Sequence, residues 1–171
     1  MKITKHLERK ILRDFVFIKG NIELDHNYFI DKIKKGVNED TNQNFKTNIH
    51  GKMTSWKYFL GDSKLNLILM EIFEYLDNSV KLKKFNVDEA WGFEEGQGGK
   101  TYYHDHEQSY LSGVLYLSKV NQPLKFKEIN EEVEVDVGNF AIFSSWLEHG
   151  CDKNLSKDIK YGISFNSHSG H

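Results

Sequence analysis

Tyr102-Tyr103-His104-Asp105-His106, followed three residues later by Tyr110-Leu111-Ser112-Gly113-Val114-Leu115-Tyr116-Leu117, is the stretch around which this chain is organised. Strand side chains alternate with period two, so His104 and His106 fall on one face of an extended segment and both rings can reach a single metal ion. A pair of imidazoles leaves most of a coordination sphere open. His149 is the best third ligand, because it follows Gly138 to Glu148, an apolar segment of strand character that ends in a tight polar corner. Three imidazoles suit iron, zinc, copper or nickel, and ligand type alone does not choose among them.

Outward from this stretch the texture stays that of short strands. Val87 to Phe93, Thr101 to His106, Leu111 to Leu117, Leu124 to Phe126, Val133 to Val137, Phe140 to Phe143 and Ile159 to Phe165 are brief apolar runs separated by glycine, asparagine and charged turns. Without intervening helices, that spacing argues for an antiparallel sandwich or barrel. Pro123, the single proline, stands at the start of one run, where a missing amide donor does no harm. Glu94 to Lys100 is glycine-rich but lacks the pattern of a phosphate-binding loop, and reads as a flexible loop beside the metal site that can close over a substrate.

The N-terminal half has a different texture. Phe15 to Ile18 is a strand or extended edge stopped by Lys19-Gly20. Asp25 is the N-cap and Gly36 the stop of a short amphipathic helix carrying Phe29, Ile30 and Ile33. Val37 to Lys52 is a polar surface loop. Ser63 caps a second helix to about Leu76, whose Leu65, Leu67, Ile68, Ile72, Phe73 and Leu76 form a stripe that packs on a sheet.

A chain of 171 residues makes one ordinary domain, here divided into an N-terminal support (1–84), a β core (85–166) and a short tail (167–171). The net charge of −2 gives no nucleic-acid or membrane footprint. Cys151 is the sole cysteine, so no internal disulfide forms, which fits a reducing compartment. Its strand parity would let it join the ligands, but a small buried thiol is the commoner role. No signal-peptide core opens the chain and no run is long enough to span a bilayer, so a cytoplasmic protein is expected. His6, His26, His50, His168 and His171 read as surface or satisfied polar residues, and Trp91 and Trp146 as core aromatics.

His104-Asp105-His106, Leu111 to Leu117, Phe143 to His149 and Ile163 to Asn166, in this order and spacing, resemble the motif series of an iron(II)/2-oxoglutarate oxygenase family of marine bacteria and phages, related to the prolyl 4-hydroxylases. Met53-Thr54-Ser55-Trp56 also resembles that family. The resemblance implies a mostly β protein with flanking helices: a double-stranded β-helix, the jelly roll shared with cupins. It implies iron(II) held by His104, His106 and His149, and 2-oxoglutarate as cosubstrate. The activity implied is that of a dioxygenase hydroxylating a small molecule or peptide, with release of succinate and carbon dioxide. His106 stands where most relatives carry a carboxylate, which raises the charge of the metal site by one unit. Asp105 and Glu107 belong to the opposite face of a regular strand unless a bulge brings one round, and Glu148 is a weaker substitute.

By the same resemblance Lys160, at the position of a family arginine, and Tyr116 bind the distal carboxylate of the cosubstrate. Ser164 and Asn166, at the parity of Lys160, line the pocket. A lysine offers a point charge without the guanidinium fork. Two other classes fit three histidines: a cupin-like metalloenzyme that makes no use of 2-oxoglutarate, and a jelly-roll binding module without catalysis.

Overall fold

The computed structural model describes residues 14–39, 48–79 and 85–169. Ten strands and two helices follow one another as β1 (Phe17–Asn21), α1 (His26–Glu39), β2 (Lys52–Met53), α2 (Ser63–Ser79), β3 (Phe85–Glu95), β4 (Thr101–His104), β5 (Leu111–Tyr116), β6 (Val120–Phe126), β7 (Glu131–Val135), β8 (Asn139–Ser144), β9 (His149–Cys151) and β10 (Lys160–Ser169). They form a larger sheet in the order β1-β8-β5-β10-β3-β2 and a smaller one in the order β4-β9-β6-β7. The ladders are antiparallel throughout. Two facing antiparallel sheets with these crossovers make the double-stranded β-helix.

Burial along each strand reports which faces are covered. Every residue of β5 is buried, because helices cover its outer face and the smaller sheet its inner one. In β7 only Val133 and Val135 are buried, so one face meets solvent. Two apolar clusters result. One joins Phe29, Ile33, Leu65 and Leu69 of the helices to Leu115, Ile163 and Phe165 of the larger sheet. The other fills the space between sheets with Trp91, Phe93, Val114, Phe126, Val135 and Phe143.

Asp25 caps α1, accepting a hydrogen bond from the Tyr28 amide at 3.3 Å. The helix does not stop at Gly36 but runs on to Glu39. Gly36 is there for closeness: a Cβ would lie 2.6 Å from the Tyr58 ring. The expected polar loop therefore starts later, and its residues 40–47 lie outside the described ones. In α2 the cap is Asp62 rather than Ser63, with Oδ1 accepting from the Leu65 amide at 2.9 Å. The buried stripe is Leu65, Leu69 and Ile72, whereas Leu67 is 66% exposed; the side chain of Leu76 lies outside the described residues.

β1 continues through Lys19 and Gly20 as an edge strand on β8. Pro123 sits inside β6 rather than at its start, at a shift in the register of the β6–β7 ladder between Val120 and Leu124. Interrupted pairing is what lets a residue without an amide donor occupy a strand interior. The glycine-rich turn from 96 to 100 is tied down. The Gly98 amide donates to the Asn154 carbonyl at 2.7 Å and the Asn154 amide to that of Gly99 at 2.8 Å. Gly98 has φ +82°, a conformation glycine adopts without strain. β10 extends past Asn166 to Ser169, pairing Ser167 with Val87 across a bulge.

Candidate metal centre and cofactor pocket

His104 ends β4 and His149 begins β9, and the two residues are direct cross-strand partners. Cross-strand partners project to the same face, so pairing alone brings two rings together. His106 lies beyond the end of β4. Its amide donates to the Ser145 carbonyl at 2.7 Å, which turns the chain so that the ring returns to the same point. The shared face thus comes from a pinned turn, not from a continuous strand.

The Nε2 atoms of His104 and His106 are 3.2 Å apart. At a metal–nitrogen distance of about 2.1 Å, that separation subtends roughly 100°, suited to two ligands of one ion. Ligating atoms of all three rings lie within 4.8 Å of one another. The Nδ1 atom of His104 is 2.7 Å from the Tyr102 carbonyl, and that of His149 is 2.9 Å from the Leu147 carbonyl. A carbonyl only accepts, so each Nδ1 carries the proton and each Nε2 presents a lone pair. Phe126 and Phe143 stand against the His149 ring, with centroids at 5.6 and 4.7 Å. Burial drives the His149 pKa down to about 3 and that of His106 to about 4, with neighbouring imidazoles adding to both; burial also lowers His104. Neutral, converging, oriented imidazoles are the form a transition metal requires.

Asp105, Glu107 and Glu148 are exposed and lie outside this group. No bulge brings a carboxylate round. Cys151 is also outside it: its sulfur lies 3.5 Å from the Lys160 ammonium, and burial pushes the thiol pKa up.

A narrow cavity runs between the sheets from His104, His106 and His149 to Tyr116 and Lys160, with Ser164 and Asn166 on its wall. Tyr116 is fully enclosed, and burial raises its phenol well above the ordinary value. Asn166 is bonded on both sides, to Ser112 and to Glu89, each at 2.8 Å. Cys151 follows His149 by two residues on β9, and its contact with the Lys160 ammonium ties that end of the cavity to the strand that carries His149.

Sequence reading missed the partner of Lys160. Glu95, 0% exposed, faces it across the β3–β10 ladder, with Oε1 2.9 Å from the ammonium. Thr101 donates to Oε1 at 2.8 Å and Gln122 to Oε2 at 3.2 Å. The signal lay in register between segments 65 positions apart, which no local pattern carries. Trp91 is a buried core aromatic as expected, yet it also lines the cavity and its indole N–H has no partner.

No protein-family model matches the chain, and no curated protein sequence does. The likeness is structural. The architecture is that of solved 2-oxoglutarate-dependent oxygenases, the group whose motifs the sequence resembles. A viral collagen prolyl hydroxylase from Paramecium bursaria Chlorella virus-1, solved as a 2-oxoglutarate complex, superposes with TM-score 0.69 at 14% identity, covering 91% of this chain and 96% of that one. A Pseudomonas putida prolyl-4-hydroxylase gives 0.63 at 12% identity, covering 91% and 93%. HygX from Streptomyces hygroscopicus, with nickel and 2-oxoglutarate bound, gives 0.61 at 11% identity, covering 91% and 82%. At identities this low, the superpositions establish the shared fold.

Proposed function

We propose that the chain is an iron(II)/2-oxoglutarate-dependent dioxygenase with a three-histidine metal centre formed by His104, His106 and His149. The observation that carries this reading is one cavity with convergent neutral imidazoles at one end and a buried ammonium, Lys160, at the other. A 2-oxo dicarboxylate offers both ends what they take: a keto-acid group for a metal ion and a distal carboxylate for an ammonium. Iron(II) with 2-oxoglutarate would supply the activation of dioxygen and the oxidation of an organic substrate.

The chain contributes everything else. His104 and His149 keep their lone pairs aimed inward because backbone carbonyls hold the opposite nitrogens. Phe126 and Phe143 exclude water around His149. Lys160 attracts the distal carboxylate and Tyr116 offers its phenol beside it, while Ser164 and Asn166 shape the wall. The substrate is a small molecule or peptide entering at the histidine end. The whole chain acts as one domain, since β1 and both helices pack on the same sheet that carries Lys160.

One observation favours a cupin-like metalloenzyme working without 2-oxoglutarate: Lys160 already has a carboxylate partner in Glu95. Anaerobic titration of the iron(II)-loaded protein with 2-oxoglutarate separates the two. A visible metal-to-ligand charge-transfer band, lost in His149→Ala and weakened in Lys160→Ala, is the result expected of the dioxygenase. Bound iron without a band points to the other metalloenzyme, and a chain that takes up no iron to a binding module.

A further inference from the structure

Two features of the pocket are complementary in charge. The metal end lacks the carboxylate of a two-histidine, one-carboxylate triad, because His106 replaces it and Asp105, Glu107 and Glu148 all face solvent. Behind the far end, outside the cavity lining, lies an extra carboxylate, Glu95, fully buried and bonded to Lys160, Thr101 and Gln122. Total pocket charge is the same as if one carboxylate had moved from the metal to the ammonium. Its distribution is not: the metal end is more positive by one unit and the far end is neutral.

We infer, resting on the cosubstrate reading above, that Glu95 sets cosubstrate selectivity by holding Lys160 in an internal ion pair. A second carboxylate brought to Lys160 must share one buried ammonium with Glu95, and two anions on one cation away from water repel strongly. Anchoring of a 2-oxo acid therefore shifts toward its metal end, where three neutral ligands leave the ion's charge uncompensated. The distal carboxylate still meets Lys160 but gains less there than it would from an unpaired ammonium. The pocket thus discriminates weakly between 2-oxoglutarate and 2-oxopentanoate, which has the same five-carbon chain and no distal charge.

The test is anaerobic calorimetry on manganese(II)-loaded protein, metal uptake being measured first and each 2-oxo acid then titrated. In the native chain the two ligands should differ by less than about tenfold, against a larger gap wherever a buried cation is free for the carboxylate. Glu95→Gln keeps side-chain polarity and frees Lys160. It should tighten 2-oxoglutarate by about tenfold or more while moving 2-oxopentanoate and metal affinity less than about twofold. Glu95→Gln combined with Lys160→Gln should lose that gain. A hundredfold native preference for 2-oxoglutarate, or a Glu95→Gln protein that binds it no better, overturns the inference and leaves Glu95 as a support for Lys160. If manganese binds but neither 2-oxo acid does, in native or variant protein, the cosubstrate reading itself fails. The native ratio needs no variant, so a Glu95→Gln chain that does not fold still leaves the inference testable.

Discussion

His149 shows how much a single residue's chemistry depends on what surrounds it. Its imidazole is held neutral by burial first and by its neighbours second, with a pKa of about 3, far below the ordinary value near 6.5. A folded-state pKa below the unfolded one means the unfolded chain binds more protons in between. Metal-free protein should therefore keep this contribution to stability above about pH 6.5 and lose it progressively as pH falls toward 3. Denaturant midpoints measured from pH 8 to 4 check this, and His149→Phe, which cannot titrate, should flatten the slope. At the same scale, His106→Asp would place a carboxylate at the candidate metal site. One metal per chain with tighter binding is expected by anaerobic iron titration, because an anionic ligand replaces a neutral one. His104, His106 and His149 were legible as a group from spacing and motif resemblance. Glu95 was not, since its partnership with Lys160 exists only once β3 and β10 are in register.

At the scale of elements, Asp62 joins two helices. It caps α2 through the Leu65 amide and accepts hydrogen bonds from Tyr28 and Lys32 of α1. Burial pushes its carboxyl up, but the Lys32 bond and the capped amide outweigh this and bring it below the ordinary value. Asp62→Ala should cost about 2 kcal/mol through the lost cap and the stranded donors, seen as a lower melting temperature with metal stoichiometry unchanged. Strands were easier to foresee than their uses. Each of the seven expected β-core runs contains a strand, although β4 stops at His104 and β7 at Val135, whereas β2 and β9 are too short to show a period. Pro123 was misplaced because a register shift, invisible in sequence, makes a strand interior tolerate it.

For the whole molecule, the candidate site is a product of two sheets. His104 and His149 come from the smaller sheet, Tyr116 and Lys160 from the larger, and an apolar cluster rich in aromatic rings packs between the sheets. Metal that binds the folded chain and not the unfolded one stabilises it by mass action. A melting temperature that rises with manganese concentration is expected, and His149→Ala should abolish the rise. Phe126→Ala, removing a fully buried ring stacked on His149, should cost about 3–5 kcal/mol and weaken metal uptake together. Among the described residues no helix is long and apolar enough to cross a membrane.

Local chemistry in the sequence determined the candidate ligand types, the alternation that makes strands, the helix stripes and the family resemblance, because each is written in neighbouring residues. Tertiary structure decided which carboxylate reaches Lys160. It turned Asp105, Glu107 and Glu148 to solvent and brought Glu95 to Lys160, because electrostatic partnership follows distance in space, and antiparallel register alone sets that distance.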